Sequence, residues 1–287
     1  MMKKLIASLA VALMVSFAAV AADDIDAAYA NLKAAQDAKK GAADIKGPAV
    51  EVLTFAAKTP GDARAKELAT QAEYALFATA LASSPADEVD LMGALEAANP
   101  KSEYLASGYG HYLAALGRVA PAKVGPVVDK VLTNFPDNKD LLVAGANSAL
   151  TRGQGGRAIT LASKAIATHP KKPEGVDQAA WDKSESQIAT NMHWIIGVAQ
   201  GSSNKFFECD KELKGVLPAI QGNQALLGTA YFYLGLCNYQ LGRQIVNKAQ
   251  LLEGQKYSEL SAAIPGPYQH QAYTNAQSIK AEAAKMK

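Results

Sequence analysis

Apolar residues recur at spacings of three and four along most of the chain, and polar residues fill the positions between them. No sustained alternation of period two interrupts this pattern, and β-branched residues seldom cluster, so it predicts helices and no sheet. The stretch from Asp23 to Lys39 is rich in alanine, leucine and lysine with acids at its start, which favours a helix. Gly47-Pro48 is expected to open a second, short helix. Asp62 to Ala82 predicts a third, with Leu68, Ala72, Ala75, Leu76 and Ala80 on one face. Ser83-Ser84-Pro85 stops it, and Asp87 to Ala98 predicts the next.

Helix-ending prolines then recur. Asn99-Pro100, Asn134-Phe135-Pro136 and Thr168-His169-Pro170 each stop a helix, because proline lacks an amide hydrogen and clashes with the preceding turn. The last two prolines are 34 residues apart and the first two 36. Val124, Val128 and Val131 precede Pro136 at the offsets at which Ala158, Ala162 and Ala165 precede Pro170. Gly117 and Gly153 are expected at the turn inside each unit.

These units resemble the tetratricopeptide repeat family, built from 34-residue helix–turn–helix repeats. The clearest match is Tyr231-Phe232-Tyr233-Leu234-Gly235-Leu236-Cys237-Asn238-Tyr239-Gln240-Leu241-Gly242, with a large residue, then leucine-glycine, then an aromatic on the first helix. Trp194-Ile195-Ile196-Gly197 is a second match. Leu142 to Pro170 is a third, with Ala146 in the glycine slot and Gly153 at the turn. The resemblance covers roughly Asp62 to the C-terminus. Several units carry alanine or valine where the family has a large residue on the second helix. An inserted loop, Lys171 to Val176, precedes a long helix from about Asp177 to Gly201, and Pro218 falls early in the second helix that follows.

The resemblance implies an all-α, right-handed superhelical solenoid of degenerate helix–turn–helix repeats over residues 61–287, with residues 22–60 as an N-terminal helical cap. It also implies a non-catalytic adaptor or scaffold that binds a protein or peptide partner in a concave groove. The groove positions carried over from the family are Tyr109, Val143, Asn147, Asn191, Trp194, Phe232 and Tyr239. Asparagine there would grip a peptide backbone with donor and acceptor together, and the aromatics would supply contact area at low entropic cost.

Composition agrees with close helix packing, since alanine is the commonest residue, at 57 of 287. Met1-Met2-Lys3-Lys4, the apolar run Leu5 to Val20 and the small-residue triplet Ala19-Val20-Ala21 form a three-part export signal. Cleavage near Ala21 or Ala22 is expected, so the mature protein is expected in a periplasm or outside the cell, without stable membrane insertion. Removing residues 1–21 takes Lys3 and Lys4 from the count and leaves 27 basic against 27 acidic residues. A neutral chain has no general pull on phosphate backbones, so no nucleic-acid partner is expected.

Little in the sequence points to catalysis. The four histidines, His111, His169, His193 and His270, are scattered without metal-ligand spacing, so neither a metal nor another cofactor is expected. Gly153-Gln154-Gly155-Gly156-Arg157 lacks the lysine and hydroxyl of a phosphate loop, and its register reads as a turn. Cys209 and Cys237 are the only cysteines, and an oxidising compartment favours a disulfide between them over two buried thiols. Three other roles remain open. A small-molecule or lipid binder would need Trp194, Phe232 and Tyr239 to converge on an enclosed pocket. An enzyme would need His193 or His270 beside an acid and a nucleophile. An envelope structural protein would self-associate through its ends.

Overall fold

The computed structural model describes residues 25–286, so the expected export segment lies outside the described residues. Every regular element among them is a helix. The chain divides into two compact units, with the boundary along the sequence between Phe135 and Pro136.

The first unit contains α1 (residues 25–37), α2 (Ala42–Lys58), α3 (Ala63–Leu81), α4 (Pro85–Ala98), α5 (Glu103–Val119), one 3-10 turn (Pro121–Lys123) and α6 (Val124–Val131). Consecutive helices from α2 to α6 pack on one another, and α2 also touches α4 while α3 touches α5. Leu68, Ala72, Ala75, Leu76 and Ala80 are all buried, as their shared face predicts. Asp62 caps α3 by accepting from the amides of Arg64 and Ala65, and Ser84 caps α4 ahead of Pro85. The carboxylate of Glu73 on α3 accepts from Asn99 Nδ2 at 2.8 Å and from the buried Ser102 Oγ at 2.6 Å, which pins the α4–α5 connection.

Two local expectations are corrected here. Pro48 does not open a helix but lies inside α2. The buried stripe Ile45, Ala49, Val52 and Leu53 runs across it, so burial of a continuous face outweighs the lost hydrogen bond. Gly117 lies within α5 rather than in a turn, because Leu113, Ala115 and Leu116 keep that last stretch buried.

The second unit contains α7 (Lys139–Thr151), α8 (Gly155–Ala167), α9 (Gln178–Ser202), α10 (Phe206–Ile220), α11 (Gln224–Gln244), α12 (Lys248–Ala262) and α13 (Gln269–Ala283). Each helix packs on the next. In addition α7 approaches α9, α9 approaches α11 and α11 approaches α13 closely along their backbones, whereas among the described residues the backbones of α8, α10 and α12 stay apart and a side chain, Lys214 on α10 to Glu253 on α12, spans the gap. Asp177 caps the long α9 as expected from the insertion. Pro218 sits in the last turn of α10, not near its start, because α10 begins only at Phe206.

Three turns in this unit share one geometry. Gly153, Asn204 and Val246 follow the ends of α7, α9 and α11 with φ of 70°, 60° and 51°. The next amide in each case reaches back five residues: Gln154 to Ala149, Lys205 to Gln200 and Asn247 to Gly242, at 2.8, 2.9 and 2.8 Å. This is the closing motif of helices that end in a left-handed residue. Glycine and asparagine adopt that conformation readily. Valine does so at a penalty of roughly 1–2 kcal/mol.

The tightest helix contact joins α11 to α12. A Cβ on Gly254 would lie 2.8 Å from the Tyr239 amide nitrogen and 3.0 Å from the Gly235 carbonyl oxygen. The two backbones therefore touch directly, which only glycine allows. A buried polar network fixes the same region. Asn238 donates to Asp210 Oδ1 at 2.6 Å and to Leu234 O at 2.9 Å, and accepts from Gln250 Nε2 at 2.6 Å. Lys214 bridges Asp210 and Glu253 at 3.0 and 2.9 Å. Burial alone would lower the pKa of Lys214, but the hydrogen bonds it donates to these two carboxylates, and their charge, hold it above its ordinary value.

Candidate partner-binding face

The face that could meet a partner is built by α7, α9, α11 and α13. Trp194 Nε1 donates to Leu226 O at 3.1 Å, a separation of 32 residues, and Gly201 faces the Tyr233 ring at the same separation. A constant offset means that α9 and α11 run parallel. Between α7 and α9, Lys139 pairs with Glu185 across 46 residues. Their side chains are only 9% and 23% exposed, so this ion pair is largely dry. With α7 and α9 running the same way, that offset sets Asn147 level with His193.

The aromatic positions carried over from the family hold neighbouring helices together. Trp194 bonds the first turn of α11 and packs against the core of Leu213, Leu227 and Leu234. Phe232 stacks on Tyr268, just before α13, with centroids 4.3 Å apart and planes at 17°. Tyr239 donates to Glu282 Oε2 on α13 at 2.7 Å, and Arg243 reaches the other oxygen of the same carboxylate at 3.2 Å. The three side chains thus do not converge on one pocket. Tyr109 lies in the first unit and is fully buried, with its ring 5.6 Å from that of Phe135, so it offers no surface to a partner. The groove expectation for Tyr109 is therefore corrected: its large ring packs against Phe135 and Tyr112 in the core, where burial of that area is worth more than exposure.

The amide positions differ. Asn147 is exposed on α7 and donates Nδ2 to Val143 O at 2.9 Å, which leaves its side-chain oxygen outward. Val143 is half-buried one turn before it, and Asn191 is half-buried on α9. Next to Asn191 lies a contact that local spacing gave no means of finding. His193 Nδ1 shares a 2.7 Å hydrogen bond with Glu212 on α10. The pair borders an open depression of about 470 Å³ lined also by Ser186, Thr190 and Lys211. The two residues stand 19 positions apart on different helices, so only the antiparallel packing of α9 on α10 joins them.

Two further features frame this face. Cys209 on α10 and Cys237 on α11 are joined by a disulfide. A smaller cavity of about 320 Å³ lies where α11, α12 and the loop before α13 meet, lined by Gly228, Thr229, Ile264, Pro265 and Tyr268 among others. Among the described residues no group of three or more His, Cys, Asp or Glu side chains could hold a metal ion, and no helix is long and apolar enough to cross a membrane. Compared with known proteins, the chain matches no family model, no curated protein and no solved structure.

Proposed function

We propose that this protein is an exported helical-repeat scaffold of the tetratricopeptide type, which holds a segment of a partner protein against the row formed by α7, α9, α11 and α13. The observation that carries this reading is the row itself. In the second unit the backbones of successive odd-numbered helices pack closely, while those of α8, α10 and α12 stay apart and are bridged only by long side chains such as Lys214 to Glu253. A stack of helix pairs with one side drawn together is the arrangement expected of a curved repeat array with a concave binding side. The repeated left-handed turns after Gly153, Asn204 and Val246 support it, since they recur at the same point of each helix pair. The three-part N-terminal segment supports export.

In this reading the contact residues are the amides. Asn147 and Asn191 face a partner backbone, with Val143 supplying apolar area between turns. Trp194, Phe232 and Tyr239 keep the row rigid, so little order has to be gained on binding. No reaction is assigned to the site. Replacing both Asn147 and Asn191 with alanine is expected to abolish capture of a partner while shifting the melting temperature by less than about 2 °C. Loss of fold in that variant, or unchanged capture, would remove both residues from the contact. A second reading has one observation in its favour: the cavity beside Tyr268 has apolar walls and could take a small apolar molecule. Co-purification of such a molecule, with no protein partner retained, would favour it.

A further inference from the structure

We propose that the end of the second unit formed by the start of α10 and the α11–α12 turn is a contact surface for an anionic lipid bilayer. The three most exposed large apolar side chains among the described residues are Val246, Phe207 and Ile245, at 77%, 69% and 66%. They share one end of the helix array. The disulfide from Cys209 to Cys237 sets the start of α10 beside the last third of α11, and α11 then runs on into Ile245 and Val246. The end of α13 is there as well, since Lys248 Nζ donates to Met286 O at 2.8 Å.

The charge at this end has one sign in excess. Lys205, Arg243, Lys248 and Lys285 lie on it, against Glu208 and Glu282, and Glu282 is paired with Arg243. The neutral total of the mature chain hides this local surplus. Exposed apolar side chains flanked along the chain by long cationic ones suit an anionic bilayer, where the tips enter the interface and the lysines meet head groups. The exposure argues the same way. Apolar side chains this open to solvent enclose no peptide or small molecule, but they can press into an extended layer.

The amide donors of the turn are already satisfied. Val246 N donates to Arg243 O, Asn247 N donates to Gly242 O, and the Asn247 side chain accepts from Gln250 N. A segment with its donors so occupied enters a poorly hydrated interface without stranding them. Val246 is also a strained choice. The equivalent turns place Gly153 and Asn204 in the left-handed conformation, and nothing in the turn itself calls for a β-branched residue there. An outward apolar side chain at that point has a reason if it contacts lipid.

The test is flotation of the purified protein with vesicles of phosphatidylglycerol and phosphatidylcholine, against vesicles of phosphatidylcholine alone. The wild type is expected to float with the anionic vesicles at low salt and to be released at high salt. Val246→Asn copies the Asn204 turn, and with Phe207→Ser it is expected to lower flotation about tenfold without loss of fold. A polarity-sensitive dye on Val246→Cys reads the turn directly, because both native cysteines are in the disulfide. Its emission is expected to shift to the blue with anionic vesicles, while the same dye on Tyr273→Cys, near the start of α13, is expected to stay unchanged. Flotation that ignores both substitutions, or a dye at 246 that does not shift, would overturn the proposal. So would a finding that Phe207 and Val246 are needed for self-association and not for vesicle binding.

Discussion

Val246 is the residue whose conformation and chemistry disagree most openly. Its φ of 51° lies where valine is strained, and its side chain is exposed, so nothing packs on it in return. Val246→Asn is expected to raise stability by about 1 kcal/mol, read by denaturant unfolding. Tyr109 is the buried counterpart. Its hydroxyl is enclosed without a hydrogen-bond partner, so Tyr109→Phe is expected to stabilise the first unit by about 1 kcal/mol. An unchanged or lowered midpoint would mean that the hydroxyl is in fact bonded. Nearby, burial and then the charge of Glu96 push Tyr112 up to about 12 and raise Tyr109 as well. The neutral forms are therefore favoured in the fold. The stability this carries is complete below a pH of about 10 and falls as pH rises toward 12, which alkaline unfolding monitored by tyrosine absorbance would detect. A flat stability profile over that range would contradict it. At this scale the sequence was only partly legible. Asparagine at 147 was expected outward and is exposed, because a polar side chain on an apolar helix follows the helical period. Tyr109, Trp194, Phe232 and Tyr239 were expected to line a groove. Aromatic rings satisfy core and surface patterns alike, and no spacing rule separates the two.

Between elements, the decisive contacts join positions far apart in sequence. α11 and α12 meet through Gly235 and Gly254, and the leucine-glycine pair in the repeat pattern already marked one of these. Gly254→Ala would force the Tyr239 and Gly235 backbones away, and a loss of about 1–3 kcal/mol is expected in thermal unfolding. A neutral outcome would mean that the helices are less closely apposed. The disulfide closes a loop between residues 28 apart and ties α10 to α11. Reduction is expected to lower stability by roughly 3–4 kcal/mol, and without reductant a thiol reagent should label neither cysteine. Helix existence was legible nearly everywhere, because period, caps and prolines agree. Asp62, Ser84 and Asp177 each cap the helix expected after them. Boundaries failed where tertiary burial overrode a local rule, as at Pro48 inside α2 and Gly117 inside α5. The His193–Glu212 pair was not legible, since its partners belong to different helices and share no local motif.

For the molecule as a whole, abundant alanine and recurrent turns give helices that stack by pairs, and the odd-numbered helices of the second unit form a continuous row. The proposed scaffold role rests on that row, and the proposed lipid contact on one end of it. They are separable, because Asn147 and Asn191 lie on α7 and α9 whereas Val246 closes α11. The most direct test of the scaffold role is photo-crosslinking in the cells that make the protein. A benzophenone amino acid would replace Asn191 on the proposed face and, in a second chain, the exposed Lys256 on α12. Partner binding along the row predicts a discrete protein adduct from position 191 that is absent from position 256 and disappears when Asn147 is also changed to alanine. No protein adduct from position 191, or the same adducts from both positions, would contradict it.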